Sequence, residues 1–145
     1  MKSFFSPLSI FVILFIVLSG CSKDKRIENR LSSGSGKWNI ELYTESSYTN
    51  NTLDYSDSYA NAGNMVFDDN GTLIWTFILD GFTDVYGGSW SNSKDDITII
   101  VDGEGLVFKI KEYSRKEIEL EYTDEYTFNG TTNKDVLFMK LVKDK

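Results

Sequence analysis

The sequence predicts an all-β domain, an antiparallel meander folded into a closed barrel or a sandwich. Three observations predict it. From Lys37 onward apolar residues recur with a period of two, Gly, Asn and Asp punctuate the runs at short intervals, and no convincing helical spacing follows. Alternation is what a half-buried antiparallel strand requires, because successive side chains point to opposite faces of the sheet.

The first run, Lys37-Trp38-Asn39-Ile40-Glu41-Leu42-Tyr43, sets Trp38, Ile40 and Leu42 on one face. Glu45 to Asn64 is polar and rich in Tyr, and reads as a strand pair around a long loop or as a partly mobile stretch. Asp96 to Val101 aligns Ile97, Ile99 and Val101, and Leu106 to Lys111 alternates cleanly towards its end. Glu117 to Tyr122 is the clearest case, with Ile118, Leu120 and Tyr122 inward and Glu117, Glu119 and Glu121 in solvent. Asp135 to Val142 places Leu137, Met139 and Leu141 together. Asp68-Asp69-Asn70-Gly71, Asp80-Gly81, Gly87-Gly88, Asp102-Gly103-Glu104-Gly105 and Asn129-Gly130 mark the turns. Asn-Gly and Asp-Gly supply the positive φ of tight hairpins. About nine strands in meander order follow, and closing them removes the exposed edges that invite aggregation.

The N-terminal residues have a different purpose. Lys2 precedes a nearly unbroken apolar run from Leu8 to Leu18, and Leu18-Ser19-Gly20-Cys21 follows. A run of about 11 residues fits a signal-peptide core and is short of the ~20 that span a bilayer. The ending resembles the lipobox of bacterial lipoproteins. That resemblance implies cleavage before Cys21, diacylglycerol on its thiol and acylation of its new amino group, with two or more chains giving a stable anchor. Residues 1–20 are thus expected to be a signal peptide, 21–36 an acylated Cys with a flexible tether, and 37–145 the barrel domain. The tether reading rests on the charged Ser22–Arg26 and the Ser/Gly run Leu31–Gly36. In lipoproteins of two-membrane bacteria a non-acidic residue after the Cys goes with the outer membrane, and Ser22 is such a residue. The expected address is the cell envelope, at the outer membrane, with the periplasmic and surface faces both open.

Composition narrows the chemistry. The chain has no His, one Cys and one Pro, with 15 Lys+Arg against 22 Asp+Glu and a net charge of −7. Without imidazole there is no His-based triad, general base or metal ligand, and one Cys makes neither an internal disulfide nor a Cys-rich zinc site. An acidic domain does not suit nucleic acid, whose phosphates need a basic stripe. No cofactor and no metal is expected. Asp68–Gly71 lacks the ligand spacing of a calcium loop and reads as a hairpin turn. Asp80, Asp84, Asp95 and Asp96 are expected in loops that could meet at one rim, and read as solvated carboxylates.

The body resembles the lipocalin-like lipoproteins common in one group of two-membrane bacteria. The matching features are Gly36-Lys37-Trp38 opening the first strand, then Met65-Val66-Phe67-Asp68-Asp69-Asn70-Gly71-Thr72. Gly88-Ser89-Trp90 before Asp96-Ile97-Thr98-Ile99, Ile118-Glu119-Leu120 and a closing Phe138-Met139-Lys140 complete the pattern over residues 36–142. The resemblance implies a lipocalin-like meander barrel of about eight strands, either filled by side chains or holding one small ligand. It also implies that Trp38 closes the barrel floor, where an Arg near the last strand stacks on it in true lipocalins. No Arg follows Arg115, and Lys140 and Lys143 are the cations available.

The leading expectation is a non-enzymatic binding module for a small hydrophobic or amphipathic ligand. Trp38, Phe67, Trp75, Trp90, Phe108 and Tyr122 are its cavity candidates, and a Gly81–Gly88 loop is expected at its mouth. The alternative is an acidic interaction protein, an inhibitor or immunity factor whose outer surface meets a basic protein partner. A hydrolase built on carboxylates alone ranks third, because among 22 acids some pair always lies close and the pairing is empty without a cleft.

Overall fold

A computed structural model describes residues 22–144. The expected signal peptide and Cys21 lie outside the described residues. One helix, α1 (Lys23–Ser32), precedes nine strands: β1 (Lys37–Thr49), β2 (Thr52–Ala60), β3 (Gly63–Phe67), β4 (Thr72–Leu79), β5 (Phe82–Asn92), β6 (Asp96–Val101), β7 (Glu104–Tyr113), β8 (Glu117–Phe128) and β9 (Thr131–Lys143).

Every strand pairing is antiparallel, and β9 returns to pair with β1 from Trp38 to Thr49. That pairing closes β1 and β3–β9 into an eight-stranded barrel, with β2 as one extra strand. β1 serves two partners along one edge. Its start, Lys37–Asn39, pairs with β3, and its continuation, Leu42–Thr49, pairs with β2. β2 and β3 are separated by Asn61, at a φ of 54°, and Ala62, and β3 opens on Gly63, at 109°. A Cβ on Gly63 would collide with the carbonyl oxygen of Thr76, so the β3–β4 approach requires glycine.

The two ends of the barrel differ. At the end called the floor, α1 lies across the opening with Ile27 and Leu31 fully buried in the core. At the opposite end, the mouth, the wall divides. β7 pairs with β8 only between Lys109–Tyr113 and Ile118–Glu121, so β8 from Tyr122 upward has β9 alone. The β1–β2 and β8–β9 hairpins therefore rise beyond the rim as a four-stranded flange, ordered β2-β1-β9-β8.

Four expectations change here. The Ser22–Gly36 tether is not wholly coil, because Ile27 and Leu31, four residues apart, fall on one helical face and dock on the barrel. Leu42 is not the third inward residue of β1. A bulge at Glu41 shifts the register between Ile40 and Leu42, and Tyr43 turns inward in its place, 4% exposed. Glu45–Asn64 contains no long loop: Asn50 and Asn51 both take positive φ and form a two-residue hairpin turn. Gly81–Gly88 is not a loop either. Gly81 is in the β4–β5 turn, and Phe82 onward is paired strand.

Candidate functional site

The barrel interior is solid from the floor to about its middle. Trp38, Phe67, Ile97, Ile99, Phe108, Ile118 and Leu120 are fully buried there. Trp38 closes the floor, and its Nε1 donates to the carbonyl of Leu31 at 3.0 Å. Lys143, on the last strand, holds its ammonium 4.7 Å from the Trp38 ring centre and donates to the carbonyls of Arg30 and Ser33. Lys143 thus stands where the resemblance implies an Arg, and burial with the nearby Arg30 charge lowers its pKa. Lys140 faces outward, where Glu41 holds it at 2.7 Å. Gly36 belongs to the same arrangement: its carbonyl accepts from the Phe67 amide, and a Cβ would strike the Phe67 carbonyl oxygen.

Above this core the mouth encloses a cavity of about 260 Å³ lined by Tyr43, Trp75, Phe77, Tyr86, Val101, Asp102, Glu104 and Leu106. β4 contributes Trp75 and Phe77, two residues apart on its inner face, and the β1 bulge swings Tyr43 in opposite them. Tyr43 meets Phe77 edge-to-face at 4.6 Å, and Trp75 meets Phe77 the same way at 5.6 Å. The Tyr43 hydroxyl donates to the Glu45 carboxylate. Burial first, then that hydrogen bond and the Glu45 charge, push its phenol pKa up.

Of the six aromatic cavity candidates, only Trp75 lines this cavity. Trp38, Phe67 and Phe108 fill the core beneath it, and Tyr122 packs 5.8 Å from Phe108 at the core's upper edge. Trp90 lies at the floor rim, where its Nε1 donates to Asp68 O at 2.9 Å, beside a polar groove between α1 and the β3–β4 turn. The three indoles divide accordingly. Trp38 and Trp90 have carbonyl acceptors, whereas the Trp75 Nε1 is buried without a partner. An unpaired buried donor costs about 1–3 kcal/mol.

The carboxylates expected to meet at one rim are divided between the two ends. Asp80 is in the mouth turn and Asp84 in β5, while Asp95 and Asp96 flank the β5–β6 turn at the floor. Asp95 pairs with Lys23 of α1 at 2.7 Å, which lowers its pKa. Asp68–Gly71 forms the hairpin turn, with Asn70 Oδ1 accepting from the Thr72 amide. Among the described residues no three His, Cys, Asp or Glu side chains gather closely enough to hold a metal ion.

Charge sorts by end as well. No Lys or Arg occurs between Lys37 and Lys94, or between Lys116 and Lys134. These two stretches supply most of the mouth and flange. Lys134 is on the outer face, its ammonium 4.5 Å over the Tyr48 ring. The Lys-free stretches were visible in the sequence, but only the topology brings them to one end.

No protein-family model and no curated protein matches the chain. Its structure is similar to that of a lipocalin-like protein from Bacteroides uniformis (17% identity, 79% of this chain and 99% of that one, TM-score 0.48). A similar uncharacterized protein comes from Bacteroides eggerthii (16% identity, 72% and 96%, TM-score 0.42). Another is a deswapped triple mutant of bovine odorant-binding protein (18% identity, 79% and 74%, TM-score 0.43). The architecture is lipocalin-like. Its strand order and closure define it, an up-and-down barrel of eight strands with one extra.

Proposed function

We propose that this protein is a lipid-anchored binding module of the cell envelope. Its barrel takes up one small apolar or amphipathic molecule at the mouth, and acyl chains on Cys21 hold it at the outer membrane. The observation that carries the binding reading is the cavity at the mouth, whose wall joins Tyr43, Trp75, Phe77 and Tyr86 to Val101 and Leu106. Cavities of a few hundred Å³ with apolar walls and few polar groups are the usual form of small-molecule sites. Eight-stranded barrels are wide enough to hold one small ligand. The role assigned is capture without turnover.

Mass spectrometry of the intact chain extracted from membranes tests both parts. The expected mass lacks residues 1–20 and carries acyl chains on Cys21. Under native conditions a further component, one per chain, leaves on denaturation. Trp75→Phe trims the indole that lines the cavity to a smaller ring, and should weaken retention about tenfold, about 1.4 kcal/mol. A chain that keeps no component after exposure to envelope lipid extract would refute the binding reading.

A further inference from the structure

The strand registers show which charges share the inner face of the mouth. Tyr43, Glu45 and Ser47 of β1 stand opposite Tyr59, Asp57 and Tyr55 of β2 and opposite Met139, Leu137 and Asp135 of β9. Across β9, Leu137 faces Tyr122 and Asp135 faces Asp124. The inner face of the flange thus carries Asp57 beside Glu45 and Asp135 beside Asp124, two pairs of like charges as direct cross-strand neighbours. Like charges in that position are destabilising. On the opposite wall Asp102 and Glu104 line the cavity itself. Among the described residues no Lys or Arg shares this inner face. Lys134, the nearest in the sequence, lies on the outer face over Tyr48.

A concave surface lined by one sign of charge focuses its field. The field is visible in Tyr59, whose pKa is raised, first by desolvation and then by the charges of Asp57, Asp80 and Glu45. Aromatic rings sit among these carboxylates: Tyr43 and Tyr59 are 6.3 Å apart, and Tyr86 lines the same opening. A cation is attracted both by carboxylates and by the faces of such rings. The carboxylates are too dispersed to bind an inorganic ion, since no three gather among the described residues. Dispersed charge around an aromatic-walled cavity suits an organic cation.

We propose that the mouth selects amphipathic amines. The apolar body enters between Tyr43, Phe77 and Leu106, and the protonated nitrogen stays at the rim among Glu45, Asp57, Asp102 and Glu104. This inference rests on the binding reading above and adds the charge of the ligand. It sets the protein apart from a carrier of fatty acids, whose carboxylates this rim would repel.

The test uses the mature chain in detergent-free buffer at low ionic strength, with octylammonium, octanol and octanoate as probes of equal chain length. The readout is the indole N–H resonance of Trp75, distinguishable because the other two indole donors are already bonded to carbonyls. Octylammonium should bind at least about tenfold more tightly than octanol, and octanoate most weakly. The triple variant Glu45→Gln, Asp102→Asn, Glu104→Gln should reduce that preference below about threefold. Glu119→Gln with Glu121→Gln, on the outer face of β8, should leave the preference intact. Octanol or octanoate binding as tightly as octylammonium would overturn the amine inference and leave the cavity reading standing. A preference lost equally in the outer-face variant would overturn it too, because net charge and not the mouth would be the cause. A Trp75 resonance that none of the three probes shifts would overturn both.

Discussion

At the floor of the barrel two indole donors find carbonyl acceptors, and at the mouth the third indole finds none. Trp38 and Trp90 donate to carbonyls, and Lys143 is held by a ring face and two carbonyls of the chain around α1. Eight strands and a helix converge there on a solid aromatic and aliphatic core. At the mouth, Trp75 keeps an unbonded N–H, carboxylates stand beside carboxylates, and Phe82 and Phe128 are 77% and 69% exposed. The same alternating strands run through both ends. The difference lies in what fills the inward positions, large apolar groups below and acids, Tyr and Ser above. The buried apolar contacts are concentrated in one half of the barrel.

Unequal losses should expose that division. Phe67→Ala removes a fully buried ring packed edge-on against Trp90 at 5.3 Å, and should cost about 3–5 kcal/mol in urea unfolding. Phe128→Ala, the same truncation on the flange, should stay within about 0.5 kcal/mol. Equal losses would erase the distinction. A smaller effect is expected at Lys143, where Met keeps the apolar stem but removes the charge and its donors. Lys143→Met should destabilise by about 1–2 kcal/mol in the same assay, with a change in Trp38 emission as the floor loosens. The smallest effect has the opposite sign. Asp135→Asn relieves the repulsion with Asp124 and should raise stability by about 0.2–1 kcal/mol at low salt. The gain should fade as salt screens the pair.

Much of the barrel was legible because its signal is local. Glu117–Tyr122 alternates without interruption, and Ile118, Leu120 and Tyr122 all face inward as read. Asp68–Gly71 spelled its turn, and Trp38 with a cation from the last strand spelled the floor. The departures arise where one extra residue or a distant surface decides. The bulge at Glu41 exchanges Leu42 for Tyr43, and nothing within that run distinguishes the two. Ile27 and Leu31 carried helical spacing, but in a polar stretch ending in Ser and Gly their burial depended on a barrel floor able to receive them. The mouth was the least legible part. Tyr43 and Glu45 belong to β1, Asp57 to β2, Trp75 to β4 and Glu104 to β7, and only the register makes them neighbours.

Helix α1 changes the meaning of an anchor at Cys21. The helix begins at Lys23, and two residues of extended chain reach only about 7 Å. The helix is held to the barrel by Ile27 and Leu31, by Lys23 on Asp95 and by its Arg26 carbonyl, which accepts from Tyr113. Acyl chains at Cys21 would then fix an orientation and not merely a location. The barrel would stand upright on the bilayer like a cup on its base, with Lys25, Arg26 and Arg30 near the headgroups and the opening turned to the aqueous side. Cargo would arrive from solution, and none could slide in directly from the leaflet below.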